Sequence, residues 1–173
     1  MSKSRPVHLT INGRPVRIEV EPRQSLADVI RGQLGLTGTH LGCEHGVCGA
    51  CTILLAGVAV RGCLMLAVQA EGAEITTIEG VNPPDGLNDL QSCFREHHAL
   101  QCGFCTPGMI LALHALFQRE PAADEVAIRE AISGNLCRCT GYQPIIAAAL
   151  DYSRSINSST NKHELARPKT KET

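Results

Sequence analysis

Nine cysteines in a chain of 173 residues constrain this protein more than any other feature of its sequence. Eight of them fall into two groups of four, which lie in different halves of the chain. If each group binds one centre, the chain must bring four thiolates together at two separate places. The groups are Cys43, Cys48, Cys51 and Cys63, followed by Cys102, Cys105, Cys137 and Cys139.

The expected compartment decides how these cysteines are interpreted. The segment from Met1 to Pro6 lacks the apolar core of a secretion signal, so we expect a cytoplasmic protein. Thiols stay reduced in the cytosol, which favours metal or cluster ligation over disulfides. No apolar run approaches the roughly 18–20 residues that cross a bilayer. The net charge of -1 gives no reason to expect nucleic acid or an anionic membrane as a partner.

The first cysteine group has the spacing C-x4-C-x2-C-x11-C, whose first part is the plant-type ferredoxin pattern for a 2Fe–2S cluster. Gly42, Gly46 and Gly49 stand beside the ligands, and glycine lets a loop wrap tightly around a small centre. Structural zinc sites usually pair their ligands as two C-x2-C units, so the spacing favours a cluster. A Rieske centre needs two histidines, and His45 has no counterpart, which makes it a solvated loop residue.

The second group, Cys102-Gly-Phe-Cys105 with Cys137-Arg-Cys139, is less specific by spacing. Zinc, a 2Fe–2S cluster and a redox dithiol all remain open, with zinc and the cluster about equally favoured. Cys102 and Cys105 precede a predicted helix, whose N-terminal dipole stabilises thiolates. The ninth cysteine, Cys93, is interpreted as a small apolar core residue. No role follows for the remaining candidates, the histidines His97, His98 and His114.

The spacing of hydrophobic residues along the sequence divides the chain into an α+β part and a helical part. Alternating strands with hairpin turns at Asn12-Gly13 and Ala56-Gly57, and a helix capped by Ser25, predict a first domain over residues 1–80. Its last predicted strand runs from Glu74 to Ile78. Residues 81–86 form a linker, and residues 87–153 a helical domain. There Thr106 is the predicted N-cap of a helix with proline at its first position. Residues 154–173 are predicted to be a polar, flexible tail.

Three stretches resemble the small iron–sulfur subunit of the molybdenum hydroxylases, the xanthine oxidase, carbon monoxide dehydrogenase and aldehyde oxidoreductase family. The resemblance covers about residues 7–150 and implies a β-grasp plant-type ferredoxin domain followed by a four-helix domain, each with a 2Fe–2S cluster. It thereby resolves the second cysteine group as cluster ligands. The stretches are Gly42-Cys-Glu-His-Gly-Val-Cys-Gly-Ala-Cys51, Gln101-Cys-Gly-Phe-Cys-Thr-Pro-Gly-Met109 and Gly134-Asn-Leu-Cys-Arg-Cys-Thr-Gly-Tyr142.

The same resemblance implies partners. Electrons would pass from a molybdenum-pterin cofactor in a large subunit through both clusters to FAD in a medium subunit. The complex would be a heterotrimer, single or dimerised, and this chain alone would not turn over substrate. Gln101 and Cys139 occupy the positions that approach the pterin. Two other functions stay open at this point: a zinc-stabilised interaction module without a redox role, and a free-standing ferredoxin.

Overall fold

The computed structural model describes residues 4–165, with side chains up to residue 158. A five-stranded sheet with one helix is followed by four helices, as the α+β prediction requires. No helix within residues 4–165 is long and apolar enough to span a membrane. The elements are β1 (Arg5–Ile11), β2 (Arg14–Val20), α1 (Leu26–Gly32), β3 (Thr52–Leu55), β4 (Val58–Arg61), β5 (Glu74–Thr76), α2 (Asp89–Glu96), α3 (Thr106–Arg119), α4 (Glu125–Ile132) and α5 (Gln143–Leu165).

The strands are ordered β2-β1-β5-β3-β4, and only the β1–β5 pair is parallel. The β1–β2 hairpin turns at Asn12 and Gly13, whose φ angles of 51° and 75° give the two left-handed residues that a tight two-residue turn needs. Ala56 and Gly57 close the β3–β4 hairpin in the same way, with φ angles of 46° and 81°. Both predicted hairpins are confirmed.

The helix α1 covers one face of the sheet. Val7, Leu9 and Ile11 alternate along β1 with exposed residues and are buried, because successive side chains of a strand point to opposite faces. From α1, Leu26, Val29 and Ile30 pack into the same apolar cluster, at the spacing of one helical face. The Ser25 hydroxyl accepts a hydrogen bond from the Asp28 amide, which confirms the predicted N-cap.

The helices α2–α5 surround a second apolar cluster, centred on buried side chains such as Phe94, Met109 and Ile145. A third, smaller cluster connects the two parts: Leu54 of β3 packs against Leu111 and Ala115 of α3. The helical region therefore lies directly against the sheet.

Three details differ from the sequence prediction. The last strand, predicted to reach Ile78, ends at Thr76 and leads into a short 3-10 turn. The N-cap of α3 is Cys105, one residue before the predicted Thr106, because the Cys105 carbonyl already accepts the first helical hydrogen bond from Met109. The helix α5 does not end near residue 153 but continues to Leu165, so residues 154–165 of the predicted flexible tail are helical. Residues 166–173 of that tail lie outside the described residues.

Candidate metal centres

The first cysteine group lies at one end of the sheet, in the long loop between α1 and β3. Gly46 and Gly49 take φ angles of 86° and 72°, so the loop folds back on itself as the glycine pattern predicts. The amide of Cys48 donates to the Cys43 sulfur at 3.3 Å. Cys63 follows β4, and the amide of the preceding residue, Gly62, donates to the Cys51 carbonyl at 3.1 Å. Two separate segments thus supply the four thiols.

Within this group the main thiol–thiol interactions join Cys43 with Cys48 and Cys51 with Cys63, and Cys48 also acts on Cys51. The hydrogen bond from the Cys48 amide, helped by that of His45, lowers the pKa of Cys43 to about 6. Burial raises the pKa of Cys51 to about 11. A buried thiolate needs a cation beside it, and metal ligation removes the proton of a coordinating thiol. The donor set therefore fits a centre that supplies positive charge.

The second group lies where two interhelical loops meet. Cys105 is the N-cap of α3, a helix of 14 residues, so its sulfur lies at the positive end of the helix dipole. The loop between α4 and α5 supplies Cys137 and Cys139. The sulfurs of Cys139 and Cys102 are 3.6 Å apart, and Cys105 interacts with Cys137. The predicted convergence of the two segments is therefore present in the fold.

The two pairs of this second group differ in exposure. Cys102 and Cys139 are exposed, and the neighbouring Cys102 thiol raises the pKa of Cys139. Cys105 is buried, and burial raises its pKa to about 12. Burial acts in the same direction on Cys137, but hydrogen bonds from Thr140 and from the Cys139 amide outweigh it and lower the pKa of Cys137. One pair faces the solvent and the other faces the protein interior.

Each group supplies the donor set of a 2Fe–2S cluster. Such a centre takes four thiolates, two on each of its two irons. The main thiol–thiol interactions in each group form two pairs, which suits that division of ligands. Four thiolates suit zinc as well, so the choice between the two rests on the cysteine spacing and on comparison with known proteins.

Hydrogen bonds connect the two groups. The Leu136 amide, next to Cys137, donates to the Cys48 carbonyl at 2.8 Å. The Asn135 side chain donates to the Gly49 carbonyl at 3.0 Å and to the Thr52 hydroxyl at 3.1 Å. Arg61 reaches across from β4 and donates to the Gly134 carbonyl at 2.6 Å. The loop between α4 and α5 is therefore hydrogen-bonded both to the loop that carries Cys48 and to strand β4.

Comparison with known proteins agrees with this geometry. Residues 9–76 match the model of the 2Fe-2S iron-sulfur cluster binding domain, and residues 77–150 match that of the [2Fe-2S] binding domain. The chain is 53% identical to caffeine dehydrogenase subunit gamma from Pseudomonas sp. (strain CBB1) over 148 residues, which are 84% of this chain and 89% of that protein. It belongs to the small iron–sulfur subunits of the molybdenum hydroxylases.

Solved structures support the same assignment. A chain of quinoline 2-oxidoreductase from Pseudomonas putida 86 superposes with a TM-score of 0.87 at 51% identity, covering 91% of this chain and 98% of that one. The aldehyde oxidoreductase from Desulfovibrio desulfuricans ATCC 27774 gives 0.85 at 39% identity, covering 94% of this chain but 18% of that one. This iron–sulfur subunit therefore serves electron transfer in an oxidoreductase complex, and nothing supports the zinc-stabilised module.

Among the other predicted residues of the iron–sulfur subunit, Gln101 lies at the second group, where its side-chain amide donates to the Cys139 carbonyl at 3.1 Å. Cys93 is half-buried and packs against the helical core. His45 is exposed, as predicted. His97 pairs with Asp151 at 3.0 Å.

The remaining histidines gain no role. His98 follows the end of α2 with a φ of 51°. His114 is half-buried on α3, and burial lowers its pKa.

Four residues that support the cysteine groups of the subunit were not singled out by the sequence: Arg61, Asn135, Thr140 and Tyr142. Asn135 is 2% exposed, and a buried polar residue is a signal only once burial is known. Thr140 lies 3.1 Å from the Cys137 sulfur, and Tyr142 accepts a hydrogen bond from the Cys137 amide at 2.9 Å. Three of the four stand within the Gly134–Tyr142 motif, which could have indicated them. Arg61 ends an ordinary strand pattern and carries no such signal.

Proposed function

We propose that the subunit relays electrons, in the cytoplasm, from a molybdenum-pterin centre in a large partner subunit through two 2Fe–2S clusters to FAD in a medium partner subunit. The observation that carries this proposal is the presence of two four-cysteine sites, each arranged in pairs and joined by the hydrogen bond from Leu136 to Cys48. Bound 2Fe–2S clusters would supply one-electron chemistry at each site.

The ligand sets follow the two domains that we propose, residues 1–80 and 87–153 with a linker at 81–86. We assign two thiolates to each iron of each cluster, following the side-chain pairs. In the first domain the ligands are Cys43 with Cys48 and Cys51 with Cys63; in the second they are Cys102 with Cys139 and Cys105 with Cys137.

The second site opens to the surface through its exposed pair, Cys102 and Cys139. Large apolar side chains lie exposed on the same loops: Leu100 is 40% exposed and Phe104 47%. Exposed apolar residues around an opening are typical of a protein interface. We propose that this face, with Gln101 and Cys139 towards the pterin, contacts the large subunit.

The first site has an apolar rim of its own. Val47, in the cysteine loop, is 58% exposed, and Leu64, next to Cys63, is 63% exposed. These side chains are chain neighbours of the first-site ligands Cys48 and Cys63. We propose that this rim contacts the FAD-binding subunit, so that each cluster faces its own partner.

The expected complex is a heterotrimer, single or dimerised. The aldehyde oxidoreductase match supports an intimate association, because a segment similar to this chain forms 18% of that longer chain. We propose that substrate turnover and substrate selection belong to the large subunit.

The first test measures iron and zinc content together with low-temperature EPR on the anaerobically purified, dithionite-reduced subunit. We expect about four irons per chain and two distinguishable spin systems, one for each 2Fe–2S cluster. Zinc without an EPR signal, in protein never exposed to air, would overturn the relay.

A further inference from the structure

A hydroxyl group lies against one ligand of the second site. The Oγ1 of Thr140 is 3.1 Å from the sulfur of Cys137, the half-buried member of the inner pair. Either atom could donate in a free thiol, but a cysteine bound to iron is a thiolate without a proton. In the loaded subunit the hydroxyl is therefore the donor and the sulfur the acceptor.

The surrounding loop fixes the direction of this hydroxyl. The backbone amide of Tyr142 donates to Thr140 Oγ1 at 3.2 Å and so occupies an acceptor site of the oxygen. The O–H then remains to be donated, and the Cys137 sulfur is within reach. The loop is closed a second time by the Cys137 amide, which donates to the Tyr142 hydroxyl at 2.9 Å. These two hydrogen bonds position the Thr140 hydroxyl beside the Cys137 sulfur.

Such a hydrogen bond acts on the reduction equilibrium. Reduction adds one electron, and the extra negative charge is shared by the sulfurs that ligate the irons. A donor aimed at a ligand sulfur stabilises the reduced form more than the oxidised form, which raises the reduction potential. Because Thr140 is half-buried, the interaction is less screened than it would be in water.

We propose that Thr140 is a positioning residue that sets the reduction potential of the second cluster through the Cys137 sulfur. This inference rests on the proposed function, because it needs a 2Fe–2S cluster at Cys102, Cys105, Cys137 and Cys139. In the first site the corresponding donation to Cys43 comes from the backbone amide of Cys48, which no side-chain substitution removes. In the second site, by contrast, the donor is a side-chain hydroxyl that a substitution can remove.

The chain offers a matched control. Thr106 follows Cys105, another ligand of the same site, and its buried hydroxyl has no hydrogen-bond partner among the described residues. Thr140→Val and Thr106→Val make the same chemical change beside the same cluster. They differ in that one of the two removes a hydrogen bond to a ligand sulfur.

The experiment is a redox titration of the complete subunit, with both clusters followed by EPR. Thr140→Val is expected to shift the reduction equilibrium of the second cluster about tenfold towards the oxidised form, which is about 59 mV for a one-electron couple. The first cluster should not move, Thr140→Ser should restore the wild-type potential, and Thr106→Val should leave it unchanged. An unaltered second-cluster potential in Thr140→Val, or an equal shift in Thr106→Val, would overturn the proposal.

A failure to load the cluster is also decisive. Thr140→Ala repeats the loss of the hydroxyl without the extra methyl group of valine. If both variants hold half the wild-type iron while Thr140→Ser holds all of it, the hydroxyl serves assembly and the tuning role is wrong. If the wild-type subunit itself lacks the second EPR signal, the proposed function fails, and the inference fails with it.

Discussion

The backbone amide of Leu136 donates a 2.8 Å hydrogen bond to the carbonyl oxygen of Cys48. Cys48 belongs to the first cysteine group, and Leu136 immediately precedes Cys137 of the second. This hydrogen bond joins the backbone of a cysteine of the first group to the residue next to a cysteine of the second, alongside the side-chain contacts of Asn135 and Arg61. Unlike the backbone bond, those side-chain contacts can be removed by substitution with alanine.

Asn135 is the first of these contacts, and we expect Asn135→Ala to destabilise the subunit. The substitution removes two hydrogen bonds, to the Gly49 carbonyl and to the Thr52 hydroxyl, although both of these groups keep other partners. A hydrogen bond contributes about 0.5–1.5 kcal/mol net to stability. Thermal unfolding of the holo-subunit should therefore begin several degrees lower.

Gln33→Ala is the control for Asn135→Ala, because Gln33 is an exposed amide at the end of α1. It should unfold at the wild-type temperature. Equal unfolding temperatures for Asn135→Ala and Gln33→Ala would show that the Asn135 contacts contribute nothing to stability.

Gly108 of α3 lies close against the loop that carries Cys43, Cys48 and Cys51. A Cβ added there would lie 2.5 Å from the backbone oxygen of Gly49 and 3.1 Å from the side-chain nitrogen of Asn135. Backbone cannot move aside as a flexible side chain can, so Gly108→Ala should separate the two loops. We expect a loss of about 1–3 kcal/mol in unfolding free energy, the usual range for overpacking.

The matched substitution is Gly32→Ala, at the last residue of α1, where an added Cβ meets nothing within 4 Å. It should be neutral or stabilise the subunit by up to about 1 kcal/mol, since alanine favours a helix more than glycine does. Thermal unfolding of both variants, with iron content as a second readout, checks the pair. The prediction fails if Gly108→Ala is as stable as Gly32→Ala.

The features that the sequence predicts correctly are those that depend on short-range patterns. The Asn12-Gly13 turn and the Ser25 cap involve residues close together in the chain, so their local chemistry decides the structure. The contact between Arg61 and Gly134 joins residues 73 positions apart and depends on how the helices dock on the sheet. No local pattern carries that information, although the cysteine spacing did indicate that each group would converge.

The length of α5 could not be read from residue preference alone. Serines after residue 152 favour turns because they compete for backbone hydrogen bonds. In the structure, Ser155 and Ser158 instead donate to the carbonyls of Tyr152 and Arg154, within the helix itself. Extending an existing helix is far easier than starting one, so the polar segment continues it to Leu165.

The two cysteine groups should load independently. Cys43→Ser removes a ligand of the first proposed cluster, and we expect it to halve the iron content while the EPR signal of the second cluster persists. Cys137→Ser should give the opposite result, with the first signal kept. Both variants should remain folded, because the sheet and the helices have separate apolar clusters.

Cys93→Ser serves as the control for these ligand variants, since Cys93 packs against the helical core and belongs to neither group. It should retain both signals. Loss of both signals in a folded Cys43→Ser variant would show that the sites are not independent.

Gln101 should matter for transfer from the large subunit rather than for cluster content. Its side-chain amide holds the carbonyl of the exposed Cys139, on the face that we assign to that subunit. Gln101→Ala should therefore keep the full iron content but slow electron arrival at the second cluster in the assembled complex. Freeze-quench EPR, after the complex is reduced through its large subunit, measures that rate directly. Gln33→Ala, on the first domain, should transfer at the wild-type rate, and an equally fast Gln101→Ala complex would argue against the contact.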